Sequence, residues 1–457
     1  MSADFTISKG LNLPMLGAPG TDIRSVSHAG TVSVYPSEFK KVKFKCLVEE
    51  GARVTRGGKL ARRKDVPEFF VCSPVSGTVK AVNLGERRSL KEIVIEPDGS
   101  DAAESFQSFT VDGILKAKAE NVMAVLLDSG LLGLIRQRPF NHIADPALRP
   151  KSIFVNGMAS APFRPDAHIL AAGKADAVQI ALNALTLFTD GPVHLNLAAA
   201  AKEKSDALTQ AANVQINYFS GPHPSGNTST HIHYLDPILP GDVVWTLRVS
   251  DLIRIGEILL SGLYPNRQVM MLAGEGLKEE GRGYVEVDTG MPLAEILKPI
   301  LADGEQRVIR GDVLAGEAVD LSEMGVYLYD AGFVVIPEDT ERHFLGWYAP
   351  TKTQYSAHKV VPSNWIKNKL FSFGTNTRGG HRAMVLTGIY DPYVPLDIMV
   401  DPLVRACIAG ETEDAIAMGI LETDPEDFAL CTFVCPSKND FGKVISDTLD
   451  LIEQEGF

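Results

Sequence analysis

The apolar positions of this chain change period twice. Over the first hundred residues they alternate. FKCLVEEGARVTRGGKL (44–60) runs through alternating apolar positions to a glycine turn at Gly57-Gly58. FFVCSPVSGTVKAVNLG (69–85) repeats the scheme with a Ser73-Pro74 turn and Gly77 between two strands. From about residue 110 the spacing becomes helical in ILKAKAENVMAVLLDSGLLGLI. A short strand (KSIFVNGM, 151–158), a helix (ADAVQIALNALTLFT, 175–189), a strand (GPVHLNLA, 191–198), a helix (VSDLIRIGEILLSGL, 249–263) and a strand (RQVMMLAG, 267–274) follow. Strand and helix in alternation predict a Rossmann-like α/β layer. GYVEVDTGMPLAEIL and RVIRGDVLAGEAV predict a small α+β unit. DPLVRACIAGETEDAIAMG and NDFGKVISDTLDLIEQEG have helical periodicity and caps, which predict a helical C-terminal domain from about 355.

The fold class expected is therefore multi-domain α/β and α+β, with four domains at 1–105, 106–274, 275–350 and 351–457. A length of 457 residues agrees, since one hydrophobic core does not grow that large. Hydrophobic residues make up 45% and charged residues 22%, which fits a soluble globular chain rather than a disordered one. The net charge of −13 argues against nucleic acid as a partner. Yet residues 40–64 hold ten Lys or Arg, among them Lys40, Lys41, Lys43, Arg62 and Arg63, against Glu49 and Glu50. They read either as a solvated face or as a docking patch for an acidic protein partner or anionic lipid. The N-terminus lacks a signal-peptide pattern, and no apolar run reaches the roughly 18 residues of a spanning helix. Five cysteines are too few for a disulfide framework and suggest a reducing compartment.

Three stretches are candidates for chemistry. GPHPSGNTSTHIH (221–233) gathers His223, His231 and His233. On a strand, His231 and His233 would share a face, but zinc would want a third ligand and the stretch matches no HExxH or CxxC pattern. A general base would need a nucleophile, for which Ser220, Ser225, Ser229 and Thr230 are weak candidates. A loop whose imidazoles bond to backbone or to a ligand carbonyl is the third reading. TNTRGGHRAMVLTG (375–388) brings Arg378, His381 and Arg382 beside two glycines, as a phosphate cradle or as a turn that docks on another protein chain. SGLLGLIRQRPF (129–140) has two glycines, Gly130 and Gly133, but bulky Leu131, Leu132, Leu134 and Ile135. Such a loop offers an apolar lining with Arg136 and Arg138 at its rim, not a phosphate cradle.

EEGARVTRGGKL and SPVSGTVKAV resemble the two halves of a barrel-sandwich (lipoyl-like) module, without the carrier-lysine hairpin: Arg62-Arg63-Lys64-Asp65 stands there. The module order resembles the C component of Rnf complexes and the flavin-carrying component of complex I. Those families hold FMN phosphate on an SGLxGxGGAxFP loop. This chain keeps Ser129, Gly130, Leu131 and Gly133 and then departs from it. DSGLLGLIRQRPF, PKSIFVNGMASAPF, FSGPHPSGNTSTHIHYLDP, VWTLRVSDLIRIGEILLSG, RGGHRAMVLTGIYDPYVPLDI and LCTFVCPSKNDFG together resemble the NqrA family, the A chains of Na⁺-translocating NADH:quinone oxidoreductases.

The resemblance implies a barrel-sandwich module, a Rossmann-like domain, a β-grasp (SLBB-like) domain and a helical relic of an iron–sulfur domain. Cys431 and Cys435, with Cys407 further off, are too few for a four-cysteine cluster. FMN and Fe–S are therefore expected absent, with no catalytic residue and no metal site in the isolated chain. Ubiquinone is the expected ligand, with Leu131, Leu134, Arg136, Arg138, Phe140, His223, His231 and His233 as candidate contacts. The partners implied are the other NQR subunits of the complex, chiefly the membrane-embedded NqrB chain. The place implied is the cytoplasmic face of the bacterial inner membrane, in a peripheral position.

Overall fold

The computed structural model describes residues 3–26, 30–322, 324–340, 354–358, 362–366, 368–385 and 388–456. The first module is two small antiparallel sheets. One orders its strands Val32–Val34, Leu90–Pro97, Gly77–Leu84 and Arg53–Val54; the other Phe44–Cys46, Lys59–Arg63 and Phe70–Cys72. Their inward positions, Phe44, Leu60, Val79, Ile93 and Ile95, are buried, which is the alternation legible in the sequence.

A seven-stranded sheet follows, ordered Asp4–Thr6, Gln215–Ser220, Val193–Ala198, Ser152–Gly157, Val244–Arg248, Arg136–Arg138 and His142–Ile143. The first five strands are parallel, and Arg136–Arg138 runs antiparallel to Val244–Arg248. Ser152–Gly157 and Val193–Ala198 are buried along almost their whole length, polar His194 and Asn196 included, because both faces are covered. Helices Ala175–Leu185 and Val249–Ser261 pack on one face. They touch at Gly256, where a Cβ would stand 1.9 Å from the Ala177 carbonyl oxygen. Thr228–Leu235, also a helix, packs on the other face, its Ile232 against Phe154.

The third sheet is mixed and six-stranded: Glu317–Ala318, Gln306–Arg310, Gly332–Pro337, Arg267–Ala273, Gly283–Asp288 and Ile23–Ser25. Two expectations change here. Asp4–Thr6 and Ile23–Ser25, placed in the first module, pair instead with the second and third sheets. Arg267–Ala273, placed in the domain ending at 274, is a central strand of the third sheet. A strand's hydrophobic period says that it is buried, not which sheet it joins. The boundary drawn at 350 lies outside the described residues.

At the C-terminus, helices Val400–Ala409, Thr412–Ala417, Ala429–Val434 and Phe441–Gln454 enclose a separate core of Leu403, Phe428, Ile445 and Leu449. Among the described residues α-helix resumes at Val400, not near 355; the stretch before it is broken by Pro362, Gly374, Gly379 and Gly380. No described helix is long and apolar enough to cross a membrane.

Candidate functional site

In the seven-stranded sheet the chain moves outward from Ser152–Gly157 to Val193–Ala198, then returns to its other side with Val244–Arg248. That reversal opens a crevice at the carboxyl ends of these two strands, the usual ligand position in open α/β sheets. A cavity of about 570 Å³ lies there. Asn156–Ala161 and Thr246–Asp251 form its floor, Glu38–Lys41 of the first module one wall, and Asp424–Glu426 and Leu449 of the C-terminal domain another.

Most cations in the cleft are neutralised by its own carboxylates. Arg138 is buried and donates to Asp424 Oδ2 at 2.8 Å. Arg164 bridges Asp312 at 2.8 Å and Glu426 at 3.0 Å, and Arg248 meets Asp251 at 2.7 Å. Arg136 differs. It donates to Asn141 Oδ1 at 3.2 Å, to the Asn141 carbonyl at 2.5 Å and to Tyr329 Oη at 3.0 Å, all neutral acceptors. Among the described residues no carboxylate pairs with it. Two carboxyls nearby stay protonated to unusually high pH. Burial and the Asp330 charge push Glu38 up to about 8, and burial pushes Glu426 up to about 7 against the pull of Arg164.

The glycine loop does not reach this cleft with its backbone. Gly130 closes the helix Ala119–Ser129 at φ 76°, and Leu131–Leu134 make a tight 3₁₀ turn. The N–H groups of Gly130, Gly133 and Ile135 donate to Leu127, Gly130 and Leu132 carbonyls, and that of Leu131 to Ser129 Oγ. A Cβ on Gly133 would stand 2.6 Å from the Phe39 ring, and one on Gly130 2.1 Å from the Phe70 carbonyl oxygen. The loop is packed under the first module with these four donors already paired, so it does not fit an FMN phosphate.

Of the residues expected at a ligand, Leu134, Arg136, Arg138 and Phe140 line the cleft. Leu131 is wholly buried in the core instead. The three histidines part company, because Thr228–Leu235 is a helix and not a strand. Positions 231 and 233 then point roughly 200° apart. His231 turns inward against Phe219 with ring centroids 4.3 Å apart, and burial pushes it down to about 3. His233 turns outward and donates from Nδ1 to Glu422 Oε2 at 2.9 Å while Nε2 accepts from the Asp397 N–H. His223 lies behind the cleft, its Nδ1 3.0 Å from Oγ of the cleft residue Ser160, and burial pushes it down to about 4. Glu38, Arg164, Arg248, Tyr329 and Glu426 went unnoticed in the sequence; they come from separate segments and carry no local motif.

Half of the basic cluster at 40–64 is committed within the chain. Lys41 bridges Asp450 and Glu453, Arg53 meets Asp98, Lys59 meets Asp128, Arg63 meets Asp65, and Arg56 donates to the Tyr264 carbonyl. Lys40 and Lys43 are exposed and Arg62 half-buried. Arg378, His381 and Arg382 stand on a separate surface, where Arg382 N–H donates to the Ser437 carbonyl. Cys407, Cys431 and Cys435 are buried in the C-terminal core, with Cys435 Sγ 3.1 Å from Tyr390 Oη. Among the described residues no group of three His, Cys, Asp or Glu could hold a metal ion.

Fold and cleft together define a multi-domain α/β protein with a crevice walled by its neighbouring domains. Residues 5–98 match the family model described as the NqrA N-terminal barrel-sandwich hybrid domain, and residues 117–264 that of the NqrA second alpha/beta domain. The A chain of the Na⁺-translocating NADH-quinone reductase of Yersinia pseudotuberculosis is 37% identical over 452 residues, covering 98% of this chain and 99% of the relative. Its counterpart in Pasteurella multocida is 37% identical over 454 residues, covering 99% and 100%. The Klebsiella pneumoniae counterpart is 36% identical over 450 residues, covering 98% and 99%. The chain belongs to the NqrA family, the A chains of Na⁺-translocating NADH-quinone reductases.

Proposed function

We propose that this chain forms part of the quinone-binding region of a sodium-pumping NADH:ubiquinone oxidoreductase, held peripherally on the cytoplasmic face of the bacterial inner membrane. It carries no flavin or iron–sulfur cluster of its own, is inactive alone, and docks chiefly on the membrane-embedded NqrB chain. The second and third sheets descend on this reading from Rossmann-like and β-grasp domains, and the C-terminal helices from a domain that once held clusters.

The uncompensated cation Arg136 at the cleft is the observation that carries the reading. A quinone headgroup offers carbonyl acceptors, which become anionic as electrons arrive, and a guanidinium stabilises that charge. Leu134, Phe140, Met158 and Leu449 give the ring apolar contact. Reduction also consumes protons, and Glu38 and Glu426 hold theirs near neutral pH. A photoreactive ubiquinone added to the whole complex tests this. Label is expected on peptides spanning Arg136–Phe140 or Met158. Label confined to other chains of the complex would remove the proposal and leave this one a scaffold.

A further inference from the structure

The second small sheet of the first module runs Phe44–Cys46, Lys59–Arg63, Phe70–Cys72, so Phe44–Cys46 is an edge strand. The antiparallel register sets Lys45 directly opposite Arg62. Two residues back, the Lys64 N–H donates to the Lys43 carbonyl, so Lys43 stands opposite Lys64. Facing residues share a face, and so do alternate ones. All four cations therefore stand on one face, while Phe44 and Ala61, on the other, are buried. Lys43, Lys45 and Lys64 are exposed and Arg62 is half-buried. Among the described residues no carboxylate pairs with any of the four; Asp65 is taken by Arg63 and Asp128 by Lys59. Like charges directly opposite each other destabilise a ladder. Lysines that only guard an edge against stray pairing belong on the edge strand. Arg62 stands on the middle strand and Lys64 at its end.

The backbone narrows the choice of partner. Lys43 and Leu47 bond across to Lys64 and Leu60, so by alternation the N–H and C=O groups of Phe44 and Cys46 point off the edge. Among the described residues nothing in the chain bonds to them. We propose that this edge takes an acidic, extended segment of a neighbouring protein chain as a fourth strand, with Asp or Glu side chains set against Lys43, Lys45, Arg62 and Lys64. Main-chain bonds along the edge supply affinity, and the cations select the charge and fix the register. A lipid surface would meet the cations but leave the strand edge without a partner. The reading of the chain as one component of a larger complex underlies this; the cleft does not.

Carbodiimide cross-linking of the whole complex joins a lysine amine to a carboxylate in contact with it. It is expected to link Lys43, Lys45 or Lys64 to an Asp or Glu of another chain. Lys43→Glu with Lys45→Glu has two opposite expected effects. The isolated chain becomes more resistant to urea, because repulsion across the ladder turns into attraction. The fraction of variant chain that co-purifies with the complex falls by about tenfold or more. Cys46→Pro removes one outward N–H without touching the bonds to Lys59–Arg63, and is expected to lower that fraction as well. Circular dichroism checks that the variants fold. Undiminished co-purification of the charge variant overturns the proposal and leaves the lysines as guards of the edge. Wild-type co-purification of Cys46→Pro overturns the added strand, and so does the absence of any cross-link from these lysines. Binding to phosphatidylglycerol vesicles that the charge variant loses, with no such cross-link, assigns the cations to lipid instead. Quinone photolabelling is read on the wild-type complex alone, so either reading can fail without the other.

Discussion

Arg138 and Asp424, 286 positions apart in sequence, form a buried ion pair at 2.8 Å. The same guanidinium donates to Ser229 Oγ and the Thr423 carbonyl, so it joins a sheet edge, the helix Thr228–Leu235 and the C-terminal domain. Removing one partner leaves the other charge buried alone. Arg138→Ala is expected to cost about 3–5 kcal/mol in urea denaturation. A loss under about 1 kcal/mol would mean that water reaches Asp424 freely.

Gly130 and Gly133 serve packing here. Gly130→Ala meets both a left-handed backbone and the Phe70 carbonyl, and Gly133→Ala meets the Phe39 ring. Each is expected to cost about 1–3 kcal/mol by overpacking and to make the junction with the first module more susceptible to limited proteolysis. Neither should change the visible spectrum, because no flavin is expected there. Variants as stable as the parent would show that the loop has space over it.

His231 sets a pH dependence. Burial lowers its folded value to about 3 from the usual 6.5. Below pH 6.5 the unfolded chain therefore takes up a proton that the folded chain refuses, and stability falls as pH falls toward 3. The slope from this residue is about 1.4 kcal/mol per pH unit. His231→Leu is expected to reduce the slope of stability against pH by that amount between about pH 6 and about pH 4. An unchanged slope would mean that the imidazole is solvated in the folded state.

The elements of the fold were legible where a period repeats: the helix at Val249–Ser261, closed by Gly262 at φ 68°, is one such case. Thr228–Leu235 was not, because the prolines and glycines just before it hid a short helix whose apolar face is little more than Ile232 and His231. Pairing partners were not legible either. Asp4–Thr6 joins Gln215–Ser220 from the far end of the sequence, and so short a strand has too little pattern to announce that. At the site, the arginine-bearing strand stood out because it interrupts an apolar loop. Tyr329, which accepts from Arg136, and Glu38, which accepts from the Tyr329 N–H, did not: each is an ordinary residue made special by the neighbours that folding brings.

Arg136 is the residue on which the quinone reading rests most heavily. Calorimetric titration of the purified chain with a short-tail ubiquinone, beside the Arg136→Ala variant, measures its part. Loss of a charged hydrogen bond of about 1.5–3 kcal/mol predicts saturable binding to the parent and affinity at least about tenfold weaker in the variant. Equal affinity in both, or no saturable binding to a folded parent chain, would contradict it.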